Sequence, residues 1–246
     1  MDPTISTLAE RPDLSDAHAA LSSAVPAFVS ADPSCWDLFS VRHLYPALQL
    51  VAQLGERTVG IAQAAPFAWS GMESDLPSQG WDEVVGSAVR GACGGLKPAT
   101  AVSALFIGVA AEYQQRGISA VMLSGLKDAA RTGGFRDLVA PVRPTLKHLE
   151  PRVPMRQYAA RRRGDGLPTD PWLRTHVRAG GRIVGVCPAS MTVGGSLHQW
   201  RTWTALPFDS DGDVEVPGAL TPVRVSQTHD YGVYVEPNVW IHHPLP

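Results

Sequence analysis

Residues 112–119 read Glu-Tyr-Gln-Gln-Arg-Gly-Ile-Ser, a set of types that suits the binding of an anion. An apolar run, SALFIGVA (103–110), ends just before this polar knot, and apolar residues at helical spacing follow it. A helix N-terminus leaves about four N–H groups without acceptors and carries roughly half a positive charge. Gly117 has no Cβ to hold a ligand away from that backbone, and Ser119 is small. Gln114 and Arg116 add side-chain donors. A diphosphate fits such a set of donors. The same residues also make a plain strand-to-helix turn with no ligand.

The elements that must position this knot are legible around it. Ile118, Val121, Met122, Gly125, Leu126 and Ala129 fall on one face of a helix, which Gly133-Gly134 ends. A strand is expected before it (101–110) and after it (135–142), a unit that normally makes a right-handed parallel crossover. Upstream, 49–54 and 58–69 read as an antiparallel hairpin around Gly55-Glu56-Arg57. A helical pattern over 13–30, with Asp13 or Ser15 as N-cap, is broken by Pro26. A helix over 80–92 closes at Gly94-Gly95. The stretch 143–169 is rich in Pro, Arg and Gly and reads as a long loop with one helical piece. Asp170 suits an N-cap, Pro171 the first helical position and Gly180 the stop of a further helix. A strand over 182–186 follows, and after residue 190 the chain reads as strands and turns (200–208, 214–226, 231–243). No linker divides the chain. The expected class is α/β (α+β), one domain over 1–246 with an elaborated C-terminal part from about 187 to 246.

The 246 residues are 44% hydrophobic with a net charge of −2, enough for a real core and without the basic face that nucleic acid requires. Three scattered cysteines with no C-x-x-C pair suit a reducing cytosol. The acidic, polar start has no signal-peptide pattern, and no apolar run approaches the roughly 20 residues of a membrane span. His242 and His243 lie near Glu236, but adjacent residues on a strand face opposite ways, and no H-x-x-x-H or cysteine pair supports a metal.

The stretch V-x-x-E-Y-Q-Q-R-G-I-S (109–119) resembles the acyl-CoA loop of the GNAT acetyltransferase superfamily. That pattern, Gln/Arg-x-x-Gly-x-Gly/Ala, falls on Gln114–Ser119, with Ser119 in place of the usual Gly or Ala. The resemblance implies a GNAT fold, a mixed central sheet with flanking helices. It implies acetyl-CoA or another acyl-CoA as cosubstrate, held at Val109, Gln114, Gln115, Arg116, Gly117, Ile118, Ser119 and Ala120. It also implies a later helix whose Tyr protonates the CoA thiolate. Aligned on Gly180, that place falls on His176, a residue that can act as acid or base near neutral pH or can be a structural histidine at a core edge.

A more specific resemblance spans roughly residues 100–243. LVAPVRPTLK (138–147), 154–183, ASM (189–191), 200–208, 216–223 and YVEPNVWIHH (234–243) are similar to the GNAT-like branch that includes loading domains of some polyketide synthases. It implies a Thr/His pair in the acyl pocket, carried onto Thr145 and His176. Such domains decarboxylate a malonyl-type thioester or move an acyl group to a carrier-protein thiol. A hydroxyl and an imidazole N–H aimed at the thioester oxygen would stabilise the charge that develops there. Arg143 or Lys147 could hold a carboxylate. Glu236 and Asn238 share a strand face and could meet the acceptor or be structural. Arg161-Arg162-Arg163 could meet the CoA 3′-phosphate or an acidic carrier, or be a solvated loop. Trp200 and Trp203 read as core, and Cys187 as buried and inert. The expected activity is direct acyl transfer from acyl-CoA to a small-molecule amine or a carrier-protein thiol. Its rivals are decarboxylation with acetyl transfer and a non-catalytic acyl-CoA-binding module.

Overall fold

The computed structural model describes residues 3–21, 25–94 and 98–246. Nine strands form one sheet: β1 (Thr4–Thr7), β2 (Gln49–Leu54), β3 (Arg57–Phe67), β4 (Ala101–Val109), β5 (Asp137–Val142), β6 (Arg182–Gly195), β7 (Gly212–Val214), β8 (Val223–Ser226) and β9 (Tyr231–Pro244). The order is β1-β2-β3-β4-β5-β9-β8-β7, with β6 on the other edge of β9. The helices are α1 (Ser15–Ala20), α2 (Ser34–Leu44), α3 (Gly80–Ala92), α4 (Ile118–Thr132), α5 (Met155–Ala159), α6 (Pro171–Arg178) and α7 (Leu197–Thr204). This is the mixed sheet with flanking helices that the sequence led us to expect.

The strand alternation splits the apolar residues into two cores. Leu138, Ala140 and Val142 of β5 and Val239 and Ile241 of β9 pack with α4, α5 and α6. Val139, Tyr234 and Trp240 point the other way, into a cluster with Trp81, Val84 and Val85 of α3 and Trp200 of α7. Ile118, Met122, Leu123, Leu126 and Ala130 form the buried face of α4, each large side chain contributing about 1.5–3 kcal/mol. Val121, expected on that face, is exposed, because the stripe runs through Leu123 and Ala130 instead.

Several expectations are corrected. The 13–30 helix is only α1, preceded by a 3-10 turn at Pro12–Leu14 and followed by another at Val29–Ala31, with 22–24 outside the described residues. Asp13 lies inside the first of these turns and Ser15 is already helical, so neither caps α1. Gly95, half of the expected stop of α3, also lies outside the described residues. Leu54 pairs directly with Arg57, so the hairpin turn is Gly55-Glu56 alone. β3 ends at Phe67, and the Trp69 amide goes instead to Thr100 Oγ1. Residues 200–204, the start of the stretch 200–208 expected among strands and turns, lie instead in helix α7. Ser196 Oγ accepts the Gln199 amide and the Gln199 side chain accepts the Ser196 amide, a capping box that starts a helix. β6 runs on past 186 to Gly195, through irregularities at Ile183/Gly185 and Cys187/Met191.

Two interruptions in the sheet make room for polar groups. β4 and β5 are parallel, as expected, but pair only at Val102↔Leu138 and Ser103↔Val139. Beyond Ser103, β4 is paired on the β3 side alone, with Leu105 passed over at a register shift. On β9, β6 occupies one edge along its length, while β8 reaches only Val233 and β5 begins at Val239 on the other. Residues 234–238 lie between them.

Candidate functional site

The knot lies where β4 ends against the diverging edge of β5. Gln115 has φ 63° and Gly117 φ 80°, so the chain passes twice through the left-handed region within three residues. The amides of 115–119 donate to no group among the described residues, while those of Ala120 and Val121 already close on Gly117 O. No described side chain caps α4. Five successive N–H groups in a turn of this kind make a concave anion site. A Cβ on Gly117 would meet nothing within 4 Å, so the space above the turn is open. Gln114 folds back on the Val109 carbonyl at 3.4 Å. Arg116 lies 5.2 Å from the centre of the Tyr113 ring, and Arg57 approaches the same ring from the hairpin at 6.0 Å. Arg57, which also donates to Tyr113 Oη at 3.3 Å, is a second cation at the loop that sequence reasoning missed, because it lies 56 residues away. These donors fit an acyl-CoA diphosphate.

His176 sits on α6, whose start is fixed by Asp170. One carboxylate oxygen, Oδ1, accepts the amides of Trp172 and Leu173 at 2.9 and 3.1 Å. The other, Oδ2, accepts the Leu146 amide at 2.9 Å and the Tyr158 hydroxyl at 3.0 Å. Thr145 lies next to Leu146 and is exposed. It shares no hydrogen bond with His176; its carbonyl lies 2.9 Å from His148 Nδ1.

His176 is buried beside the Trp172 ring, and its Nδ1 lies 3.0 Å from Nε2 of His243 on β9. Burial first, and then the neighbouring His243, push its pKa down to about 3. Burial, with the charges of Lys127 and His242, lowers His243 to about 4, against a backbone contact at Ala179. Both imidazoles are therefore neutral at pH 7. His242 faces the other way, 2.7 Å from Asp137 Oδ1 and against the Trp69 ring.

The expected carboxylate-holding pair divides. Lys147 is fully buried and donates to the carbonyls of Glu150, Pro151 and Leu220, so it has no donor left for a substrate and is corrected to a structural residue. Arg143 Nε donates to both oxygens of Glu236, and Nη2 donates to Gly218 O. Burial opposes its charge, but Glu236 and Tyr234 outweigh that and raise its pKa. Its Nη1 makes no hydrogen bond among the described residues, and the side chain keeps 31% exposure. Glu236 is buried, and it accepts further from Tyr234 Oη at 2.7 Å and Asn238 Nδ2 at 3.0 Å. Glu236 and Asn238 do share a face, but both Glu236 oxygens and the Asn238 Nδ2 are spent on the lock that fills the 234–238 interval. Among the remaining candidates, Arg161 pairs with Glu150 at 2.6 Å and Arg162 donates to its neighbours' carbonyls, while Arg163 lies 3.7 Å from Asp165. Trp200 is buried with Nε1 on Gly232 O. Cys187 is buried, which pushes its thiol up to about 12.

No family model matches the chain. An arginine N-acetyltransferase of Aspergillus versicolor is 31% identical over 98% of this chain and 94% of that protein. The chain is a GNAT-family acyltransferase. It is an acyl-CoA-dependent enzyme, with acyl-CoA as its cosubstrate. The acyltransferase shares its fold with the loading GNATL domain of CurA from Lyngbya majuscula, at TM-score 0.61, 14% identity and 99% and 98% coverage. The GphF GNAT-like decarboxylase in complex with isobutyryl-CoA aligns at TM-score 0.60, 20% identity and 99% and 100% coverage. No helix among the described residues of the acyltransferase is long and apolar enough to cross a membrane.

Proposed function

We propose that this acyltransferase moves an acetyl group from acetyl-CoA directly to an amine nitrogen of a small molecule of the arginine class: the N–C bond forms, the thioester C–S bond breaks, and the proton lost by the amine balances the departing CoA thiolate, which leaves as the thiol. The observation that carries the acceptor is the full-length similarity to an arginine N-acetyltransferase. The amides of 115–119, with Arg116 and Arg57, hold the diphosphate. His176 is then a neutral hydrogen-bond donor rather than an acid–base group, because an imidazole with a pKa near 3 is unprotonated at pH 7. Its Nε2 has no partner among the described residues, and an N–H there would stabilise the oxyanion that forms as the amine attacks the thioester. Thr145 is the second donor of that pair. The free Nη1 of Arg143 would hold the acceptor's carboxylate. Three free thiols fit a cytosolic setting.

The test is incubation with acetyl-CoA and L-arginine, followed by mass spectrometry. An arginine product heavier by one acetyl group supports the reading; free CoA release that ignores arginine overturns the acceptor. The neutral His176 favours one other reaction, loss of CO₂ from malonyl-CoA, since an enolate oxygen needs the same donor. Malonyl-CoA left intact in the same assay removes it. Transfer to a loaded carrier-protein thiol is read in that assay by the carrier's mass.

A further inference from the structure

His243 lies hydrogen-bonded to His176, and nothing in the proposed acyl transfer uses it. It lies 67 residues on, near the end of β9, and brings Nε2 to 3.0 Å from His176 Nδ1. The approach depends on Gly181, where a Cβ would fall 2.5 Å from His243 Cε1 and 2.7 Å from Nε2. Two neutral imidazoles sharing one hydrogen bond have two arrangements. In the first, His176 Nδ1–H donates to His243. His243 then needs its own proton on Nδ1, which is buried and has no hydrogen-bond partner among the described residues. In the second, His243 Nε2–H donates to His176 and Nδ1 is a bare lone pair. A buried N–H without an acceptor is the rarer and costlier defect. Lys127 of α4 acts in the same direction: its ammonium donates to the Ala179 carbonyl at 2.8 Å, the backbone oxygen that lies toward His243, and its positive charge opposes that contact at the ring.

We propose that His243 is a positioning residue that donates from Nε2 to His176 Nδ1, and so fixes the His176 proton on Nε2, where the reacting thioester oxygen would accept it. The inference rests on His176 being the oxyanion donor. It assigns a role to His243 and a tautomer to His176. A neutral imidazole left without this partner would divide its proton between two nitrogens, and only one of those forms presents a donor.

The experiment pairs spectroscopy with kinetics. Nitrogen-15 NMR of histidine-labelled protein should show His176 and His243 both protonated on Nε2 alone. His243→Phe should lower kcat with acetyl-CoA and arginine on the order of 10²-fold, the loss typical of one oxyanion donor, and leave KM for acetyl-CoA nearly unchanged. His243→Gln, whose amide N–H reaches the same place, should restore most of that loss. A His176 protonated on Nδ1 overturns the proposal, as do Phe and Gln variants of equal kcat. If the Phe variant does not fold, the wild-type tautomer and the Gln variant still decide. Should His176→Ala retain wild-type kcat while the tautomers are as stated, it is the catalytic role of His176 that fails, not its contact with His243.

Discussion

Asp170 Oδ2 accepts the Leu146 amide at 2.9 Å, and this bond ties the loop that bears Thr145 to the helix that bears His176. The same carboxylate caps α6 through Oδ1 and holds Tyr158 of α5. Burial first, and then Asp170, raise the Tyr158 pKa, so its hydroxyl stays protonated and donates. Asp170→Ala should cost about 1–2 kcal/mol for the lost cap alone, and more for the Leu146 and Tyr158 donors it strands. Activity measured well below the melting temperature should fall further than the folded fraction does. A variant that loses only stability would show that Thr145 and His176 need no common anchor.

Lys147→Met tests the buried ammonium. Three carbonyls lose their donor, so denaturant unfolding should show a loss of about 2–4 kcal/mol. KM for the substrates should be unaltered in the fraction that folds. A raised KM at unchanged stability would return Lys147 to the binding site.

Gly117→Ala separates conformation from space, since a Cβ there meets nothing but φ is 80°. Holding a non-glycine residue in the left-handed region costs about 1 kcal/mol. CoA affinity, read by calorimetry, should fall by roughly 5-fold as the five-amide turn relaxes. Wild-type affinity in this variant would mean that the diphosphate does not use the turn.

The pH dependence of stability has two limbs of opposite sign. His176 and His243 are lowered to about 3 and 4 by burial, so the unfolded chain binds protons more readily between there and about 6.5. Their contribution to stability should therefore rise with pH up to about 6.5 and gain nothing above it. Asp82 on α3 and the buried Asp32 behave in the opposite sense. Burial, and then the charge of Asp32, raise Asp82 to about 8, and burial raises Asp32. Above about pH 4 the folded state then holds a proton that the unfolded chain has released, so this contribution falls as pH climbs toward about 8, offsetting part of the histidines' rise and leaving a net fall above 6.5. Asp82→Asn should flatten the stretch from pH 6.5 to 8.5 in thermal melts. A falling limb that survives the substitution would point to another group.

Several elements with local causes are legible. The hairpin around Gly55, helix α4 behind Gly117, the β4–α4–β5 unit and the Asp170-Pro171…Gly180 frame of α6 all follow from residues within a turn or two of one another. Helix α7 was missed although Ser196 and Gln199 spell its cap, because Trp200, Trp203 and Phe208 carry the aromatic content of a strand. The fates of Arg143 and Lys147 were not legible. Their partners, Glu236 and Leu220, are 93 and 73 residues away, and only the interval between β8 and β5 on the edge of β9 brings them together. His243 was read for its neighbour on the strand rather than for His176, which approaches it only once α6 is docked and Gly181 leaves room.

β9 touches β5, β6 and β8 and carries both the Glu236 lock and His243. It comes after every other strand in the chain. Because three strands depend on β9 and its side chains enter both cores, a substitution that breaks its pairing would disturb the Glu236 lock, the His176–His243 contact and the packing behind α4 together.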